Sequence, residues 1–235
     1  MLKKRKRGCQ QREAMQNASA SLSQQRLEWL TRLSTPRGRS AKALSTAEWD
    51  AAEGLARVLR GKGNLSALGL FRSGQQWLRV EEVMCLVDEG SLLLLRDGQP
   101  LSVHAARVML LGPQPGTAFE GAAAAKRELS ISTFAALHRS GYVCRPPAPL
   151  ADDDAYRRAG SPTLFAVYER RGFSRRAAEA GAPPTFLVAC FHASEPMPPT
   201  DALSALARAV APAALRCACA QQGEALFFDV VSGCG

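Results

Sequence analysis

Apolar positions recur at two different periods along the chain, and the change of period divides it. From Leu27 to about Leu111 the spacing predicts short helices around one compact turn system. Ser45-Thr46-Ala47-Glu48 has the S/T-x-x-E form of a capping box, with Trp49 following at once. Ala52, Leu55, Ala56, Val58 and Leu59 would continue that helix as one apolar face, ending near Gly61 in the loop Arg60–Asn64. Val83, Leu86 and Val87 form a second helical stripe, and Gly90 stands where a C′ glycine belongs. Ser91–Leu95 reads as a short strand, Asp97-Gly98 as its turn, and a further helix follows Ser102.

Residues 112–126 carry Gly112, Pro113, Pro115, Gly116 and an alanine run, and read as a linker into a helix over Lys126–Arg139. Leu129, Thr133, Phe134 and Leu137 would face a core there. Beyond it the period shortens. Tyr142–Cys144, Leu164–Tyr168 and Phe186–Phe191 are apolar runs of strand type, and 148–162 reads as an exposed loop. Asp201–Ala211 is an amphipathic helix stopped by Pro212. Leu215–Ala220 and Ala225–Val231 flank Gln221-Gln222-Gly223-Glu224 as a hairpin. The expected fold is an α+β, winged-helix-like module over 26–111, then a small α/β domain with a mixed sheet over 127–235. Residues 1–25 are expected as a basic disordered tail.

Charge sharpens this division. Residues 1–80 hold 16 Lys and Arg against 5 Asp and Glu, or +11, while 81–235 hold 14 against 16, or −2; together they give the net +9. A polyanion would be met by the front of the chain. The best phosphate-contact candidates are Arg57, Arg60 and Lys62, with Arg57 and Arg60 on one face of the expected helix running into the glycine loop. Lys3-Lys4-Arg5-Lys6-Arg7 reads as a nuclear-import signal; with no apolar segment behind it, a secretory leader is not expected. No apolar run approaches membrane-spanning length, so no membrane partner is expected.

The seven cysteines are irregularly spaced, and no C-x-x-C pair occurs, so neither a disulfide framework nor a zinc ribbon is supported. Cys217 and Cys219 share a strand face and read as core thiols. His104 and His138 lack a Cys or carboxylate at ligand spacing, His192 with Glu195 three residues on makes a weak acid–base pair, and Asp152-Asp153-Asp154 reads as a solvated loop. No phosphate loop, dinucleotide fingerprint or nucleophile elbow occurs. No metal and no cofactor is expected.

Ala47-Glu48-Trp49, Arg60-Gly61-Lys62, Leu68-Gly69, Trp77-Leu78, Glu81-Glu82, Glu89-Gly90-Ser91 and Pro100-Leu101-Ser102 follow one another in a recognisable order. The series resembles the N-terminal domain of the large structural subunit of the eukaryotic tRNA-splicing endonuclease, the Sen fifty-four family. Ser132–Leu137 running into Arg139–Val143, with Leu164–Tyr168, Pro184–Val188 and Ala225–Val230, resembles the helix and strands of the family's endonuclease-like domain. The resemblance implies a non-catalytic subunit within a heterotetramer, partnered by a catalytic subunit and the other endonuclease subunits, with pre-tRNA as substrate and the nucleus as location.

Cutting subunits of that enzyme use a Tyr, a His and a Lys for metal-free RNA cleavage. Here no lysine follows Lys126, and Gly181-Ala182-Pro183-Pro184 stands where the histidine is expected, although Tyr168 is near the tyrosine position. The chain also lacks the long insertion common between the family's domains, and its 221–224 loop offers one acid where archaeal relatives have an acidic docking loop. Related subunits pair through their C-terminal strands, which makes Phe227 and Phe228, one on each face of the last strand, the interface candidates. Two alternative functions stay open at this point: an active endoribonuclease subunit and a free-standing RNA-binding adaptor.

Overall fold

A computed structural model describes residues 44–62, 65–112, 120–147, 162–192, 196–221 and 224–230, with Asp154, Arg157 and Ala159. The basic tail, the Lys3–Arg7 run, the pattern starting at Leu27, Asp152-Asp153 and most of their loop, and the turn at 222–223 lie outside the described residues, as does the expected linker before Glu120.

The first expected helix is instead a β-hairpin, β1 (Ser45–Asp50) and β2 (Leu55–Arg60), paired antiparallel. The groups that look like a capping box are used across strands. Ser45 Oγ accepts from Lys62 N at 2.9 Å and donates to Lys62 O at 3.0 Å, and Glu48 pairs with Arg57 at 3.1 Å. Asp50 Oδ1 accepts from Ala52 N and Glu53 N, and Gly54, at φ +63°, closes the turn. An Asx-type turn of this kind competes directly with helix propagation. Ser45 and Ala47 are buried while their neighbours are not, which is a strand period.

A 3₁₀ turn at Leu65–Ala67 leads to the hairpin β3 (Leu70–Arg72) and β4 (Gln75–Leu78). Then come α1 (Val80–Asp88), β5 (Leu92–Arg96), β6 (Gln99–Pro100) and α2 (Val103–Leu111). Here sequence and structure agree: Gly90 is left-handed after α1, Asp97 and Gly98 both have positive φ in the β5–β6 turn, and Ser102 Oγ caps α2 by accepting from Ala105 N. The six strands are ordered β3-β4-β2-β1-β5-β6, with β1 and β5 parallel and the other pairs antiparallel.

The long helix α3 spans Glu120–Arg139, starting six residues before the expected Lys126. It is followed by β7 (Tyr142–Arg145), β8 (Thr163–Glu169), a short α4 (Arg175–Glu179) with no periodic signal in the sequence, β9 (Phe186–His192), α5 (Thr200–Ala209), β10 (Ala214–Gln221) and β11 (Glu224–Asp229). This sheet runs β11-β10-β9-β8-β7; β9 and β10 are parallel and the rest antiparallel. The described chain is therefore α+β, with two mixed sheets and five α-helices. None of these helices is long and apolar enough to cross a membrane.

β9 is buried on both faces, which is why it reads as an unbroken apolar run. Its Leu187, Ala189 and Phe191 join Leu203, Leu206 and Leu215 under α5. Its Phe186, Val188 and Cys190 join Leu129, Phe134 and Leu137 of α3 on the other face, a cluster that continues into Val83–Val87 of α1 and Leu92 and Leu94 of β5. One apolar core thus takes residues from both sides of the 112–126 segment. Glu82 is the buried acid within it. Its Oε1 accepts from Gly69 N at 2.6 Å and its Oε2 from Arg79 N at 2.8 Å, so the segment between the 3₁₀ turn and α1 is fixed at both ends by one carboxylate.

Candidate functional site

The three basic candidates do not share a helical face. Arg57 and Arg60 lie on β2, where a bulge at Leu59 sets Arg57 opposite Glu48 and Arg60 opposite Thr46, so both side chains leave the same face of the sheet. Arg57 is committed to Glu48, whose Oε1 also accepts from Gly98 N. Arg60 and the exposed Lys62 make no ion pair among the described residues. The helical geometry expected for the set is thus replaced by a strand end, with two exposed cations and one neutralised.

A second basic site was not legible in the sequence. A cleft of about 640 Å³ is lined by Arg79, from the residue preceding α1, and by Arg145, from the end of β7. Tyr168, Glu179 and the turn Gly181–Pro184 form other walls. Arg145 is 13% exposed in its side chain; its Nη2 reaches Glu179 at 3.2 Å, while its Nη1 is buried with no partner among the described residues. Burial holds Arg79 below the usual arginine range against the attraction of the Glu82 and Glu81 carboxylates, and the Arg145 charge adds a smaller push in the same direction as burial. Behind the cleft Arg175 lies over the Phe71 ring at 4.6 Å, and its Nη2 donates to the carbonyls of Ser66 and Leu68, tying α4 to the 3₁₀ turn. Tyr168 Oη donates to Ala182 O at 3.4 Å, a long contact, and burial pushes its pKa up.

Cys85, Glu89 and His138 bring ligand-type atoms within 4.8 Å of one another. Burial and the neighbouring Glu89 push the Cys85 thiol up to about 12, and burial with Arg170 lowers the His138 pKa. Arg170 Nη2 lies 3.1 Å from His138 Nδ1, so a guanidinium already stands against the imidazole. The three groups are arranged as polar contacts among a thiol, a carboxylate and a neutral ring, and a cation would have to displace Arg170.

β11 is an edge strand, with Leu226, Phe227 and Phe228 72%, 40% and 38% exposed. It is registered on β10 through Arg216 opposite Asp229, joined at 2.7 Å, and Arg216 lies over the Phe186 ring. Phe227 and Phe228, being consecutive, point to opposite sheet faces.

Residues 30–96 match the family model described as tRNA-splicing endonuclease subunit sen54 N-term. The chain resembles the Sen fifty-four family. No curated protein matches it. The matched segment holds most of the ordered series read from the sequence, and the structure gives several of its members physical roles. Gly69 has φ +69°, and a Cβ there would lie 2.2 Å from Trp77 O. Glu82 holds Gly69, and Gly90 closes α1. Arg57, Arg60, Lys62 and Arg79 fall within the Sen fifty-four segment; Arg145, Tyr168 and Arg175 fall beyond it. Tyr168 lies next to the Val167–Phe186 register pair, whereas His192 ends the same β9 strand, six residues from Phe186 or about 20 Å at 3.3 Å per residue. The two side chains therefore sit at opposite ends of the sheet.

Proposed function

We propose that the chain is a non-catalytic, structural subunit of a tRNA-splicing endonuclease, pairing with a catalytic subunit and helping to position pre-tRNA for intron removal. The observation that carries this reading is the Sen fifty-four match over residues 30–96. The separation of Tyr168 from His192 supports the non-catalytic role, as does the sequence beyond Lys126, which offers no lysine. Cleavage through a 2′-hydroxyl needs base, acid and cation around one phosphate. Those two residues cannot supply the first two together.

On this reading the first sheet with α1 and α2 is the winged-helix-like N-terminal module, and the α3–β11 region is the endonuclease-like domain. The exposed apolar edge at Phe227 and Phe228 supports pairing there, since an uncovered edge strand invites another chain. Arg60 and Lys62, which make no ion pair among the described residues, are the cations offered to the tRNA backbone, with Arg57 available once Glu48 is displaced. The nuclear location proposed from Lys3–Arg7 and membership of a heterotetramer belong to the same reading.

The experiment is co-purification of the tagged full chain from its own cells, with identification of the accompanying chains and an assay of pre-tRNA cleavage. Recovery with endonuclease subunits, and retained cleavage in an assembly carrying Tyr168→Phe and His192→Ala, is the expected result. Intron release by the purified single chain would establish the catalytic alternative, and a monomer that binds RNA alone would establish the adaptor.

A further inference from the structure

The cleft between the β7 end and the start of α1 carries two guanidiniums and one carboxylate on its walls, with the Glu82 and Glu81 carboxylates acting on Arg79 from beyond the wall. Among its wall residues the charged groups are Arg79, Arg145 and Glu179. The carboxylate is about half exposed in its side chain, while Arg145 is 13% exposed. Arg79 is half-buried, and its guanidinium makes no hydrogen bond or ion pair among the described residues. Among the described residues Arg145 keeps one buried nitrogen without a partner, and Arg175 keeps two. Guanidiniums partly withdrawn from water and set near one another are costly unless an anion completes them.

We propose that this cleft binds a phosphate group, with Arg79 and Arg145 as its two guanidinium ligands and Glu179 as a displaceable counter-ion. Planar forks with several N–H donors match the geometry of phosphate oxygens. The Tyr168 hydroxyl, whose one hydrogen bond among the described residues is a 3.4 Å contact to Ala182 O, can turn toward such an oxygen. The volume of about 640 Å³ accommodates more than the phosphate itself. Pro146, Pro147, Pro183 and Pro184 with the Tyr168 ring supply an apolar wall suited to the sugar and base of a nucleotide. A free nucleotide and the backbone of an RNA strand share this chemistry. The site does not depend on the family reading, because binding is measured on the chain alone and needs no partner subunit.

The test uses the full chain with ¹⁵N-labelled arginine, following the side-chain Nε–H signals during titration with inorganic phosphate, adenosine 5′-monophosphate and an eight-nucleotide single-stranded RNA. The Arg79 and Arg145 signals should move and saturate with all three, while Arg107, paired with Asp88 at 2.8 Å on the surface, should stay still. RNA saturating at least about tenfold below the mononucleotide identifies the RNA backbone as the source; equal or tighter mononucleotide binding identifies a free nucleotide. Arg79→Met should weaken binding about tenfold or more, the weight of one charge-assisted hydrogen bond. Glu179→Gln, a change at an exposed side chain, should strengthen it by releasing Arg145. Arg79 and Arg145 signals that move no more than Arg107, or a Glu179→Gln chain that binds no better than wild type, would overturn the proposal.

Discussion

Glu82→Gln replaces the buried carboxyl of α1 with a group of the same shape and should still destabilise the fold. Glu82 is 3% exposed, and each of its oxygens accepts from a different backbone N–H, Gly69 at 2.6 Å and Arg79 at 2.8 Å. An amide keeps one acceptor and turns an NH₂ toward the other N–H, so one buried donor loses its partner and faces a second donor. That costs about 1–3 kcal/mol, and Glu82→Ala, which orphans both donors, costs about 2–6 kcal/mol. Burial pushes the Glu82 carboxyl above its ordinary value of 4.5, against the two backbone hydrogen bonds. The folded state therefore holds this proton longer than the unfolded chain does. Its contribution is complete below pH 4.5 and is lost as pH rises through the folded-state value, so the gap between wild type and Glu82→Gln should be widest in mild acid. Urea unfolding of the full chain, read by far-ultraviolet circular dichroism at several pH values, measures both effects. A Glu82→Gln midpoint equal to wild type, with the same pH slope, would refute the view that this carboxylate fixes the 69–79 segment.

Phe227→Glu and Phe228→Glu should leave the chain folded, and whichever phenylalanine faces the partner should abolish co-purification with the catalytic subunit; wild-type pairing by both variants would exclude β11 as the interface. Leu206→Ala empties a fully buried site under α5 and should cost about 2–5 kcal/mol in the same urea assay. The lowered His138 pKa means that acid protonates the unfolded chain first: stability should be constant above the ordinary value of 6.5 in this respect and fall below it, and His138→Gln should flatten that fall. Burial pushes Cys190 up to about 12 and Cys217 up to about 11, so peptide mapping after alkylation at pH 8 should find both unmodified until denaturant is added.

The sequence was most informative where one period acted alone. α1, α2, α3 and α5 and the strands of the second sheet announce themselves through stripes, runs and stop signals such as Gly90 and Pro212. β1 and β2 did not, because Ser45, Glu48 and Asp50 are equally good partners for a helix terminus and for a turn or a neighbouring strand. Only tertiary placement decides between Lys62 and a helical N–H as the partner of Ser45. The same ambiguity moved Arg57 and Arg60 from a helix to a strand, where the extra residue Leu59 keeps them on one face. The cleft was illegible for a different reason. Arg79, Arg145, Tyr168 and Glu179 converge from separate elements, and no local spacing records that the end of β7 meets the start of α1.

The shared core has a practical consequence for dissecting this protein. The stretch recognisable by family likeness stops at residue 96, but the apolar side of α1 is covered by α3, which begins at Glu120. A fragment cut at the end of the likeness would carry Val83, Leu86 and Val87 with Leu129, Phe134 and Leu137 removed from the same buried cluster. Such a fragment should be sticky and poorly soluble, and RNA binding measured on it would report the bared helix as much as the basic surface. The part that inheritance marks out and the part that folds have different borders here, so a workable shorter version has to extend through α3 and the sheet that α3 covers.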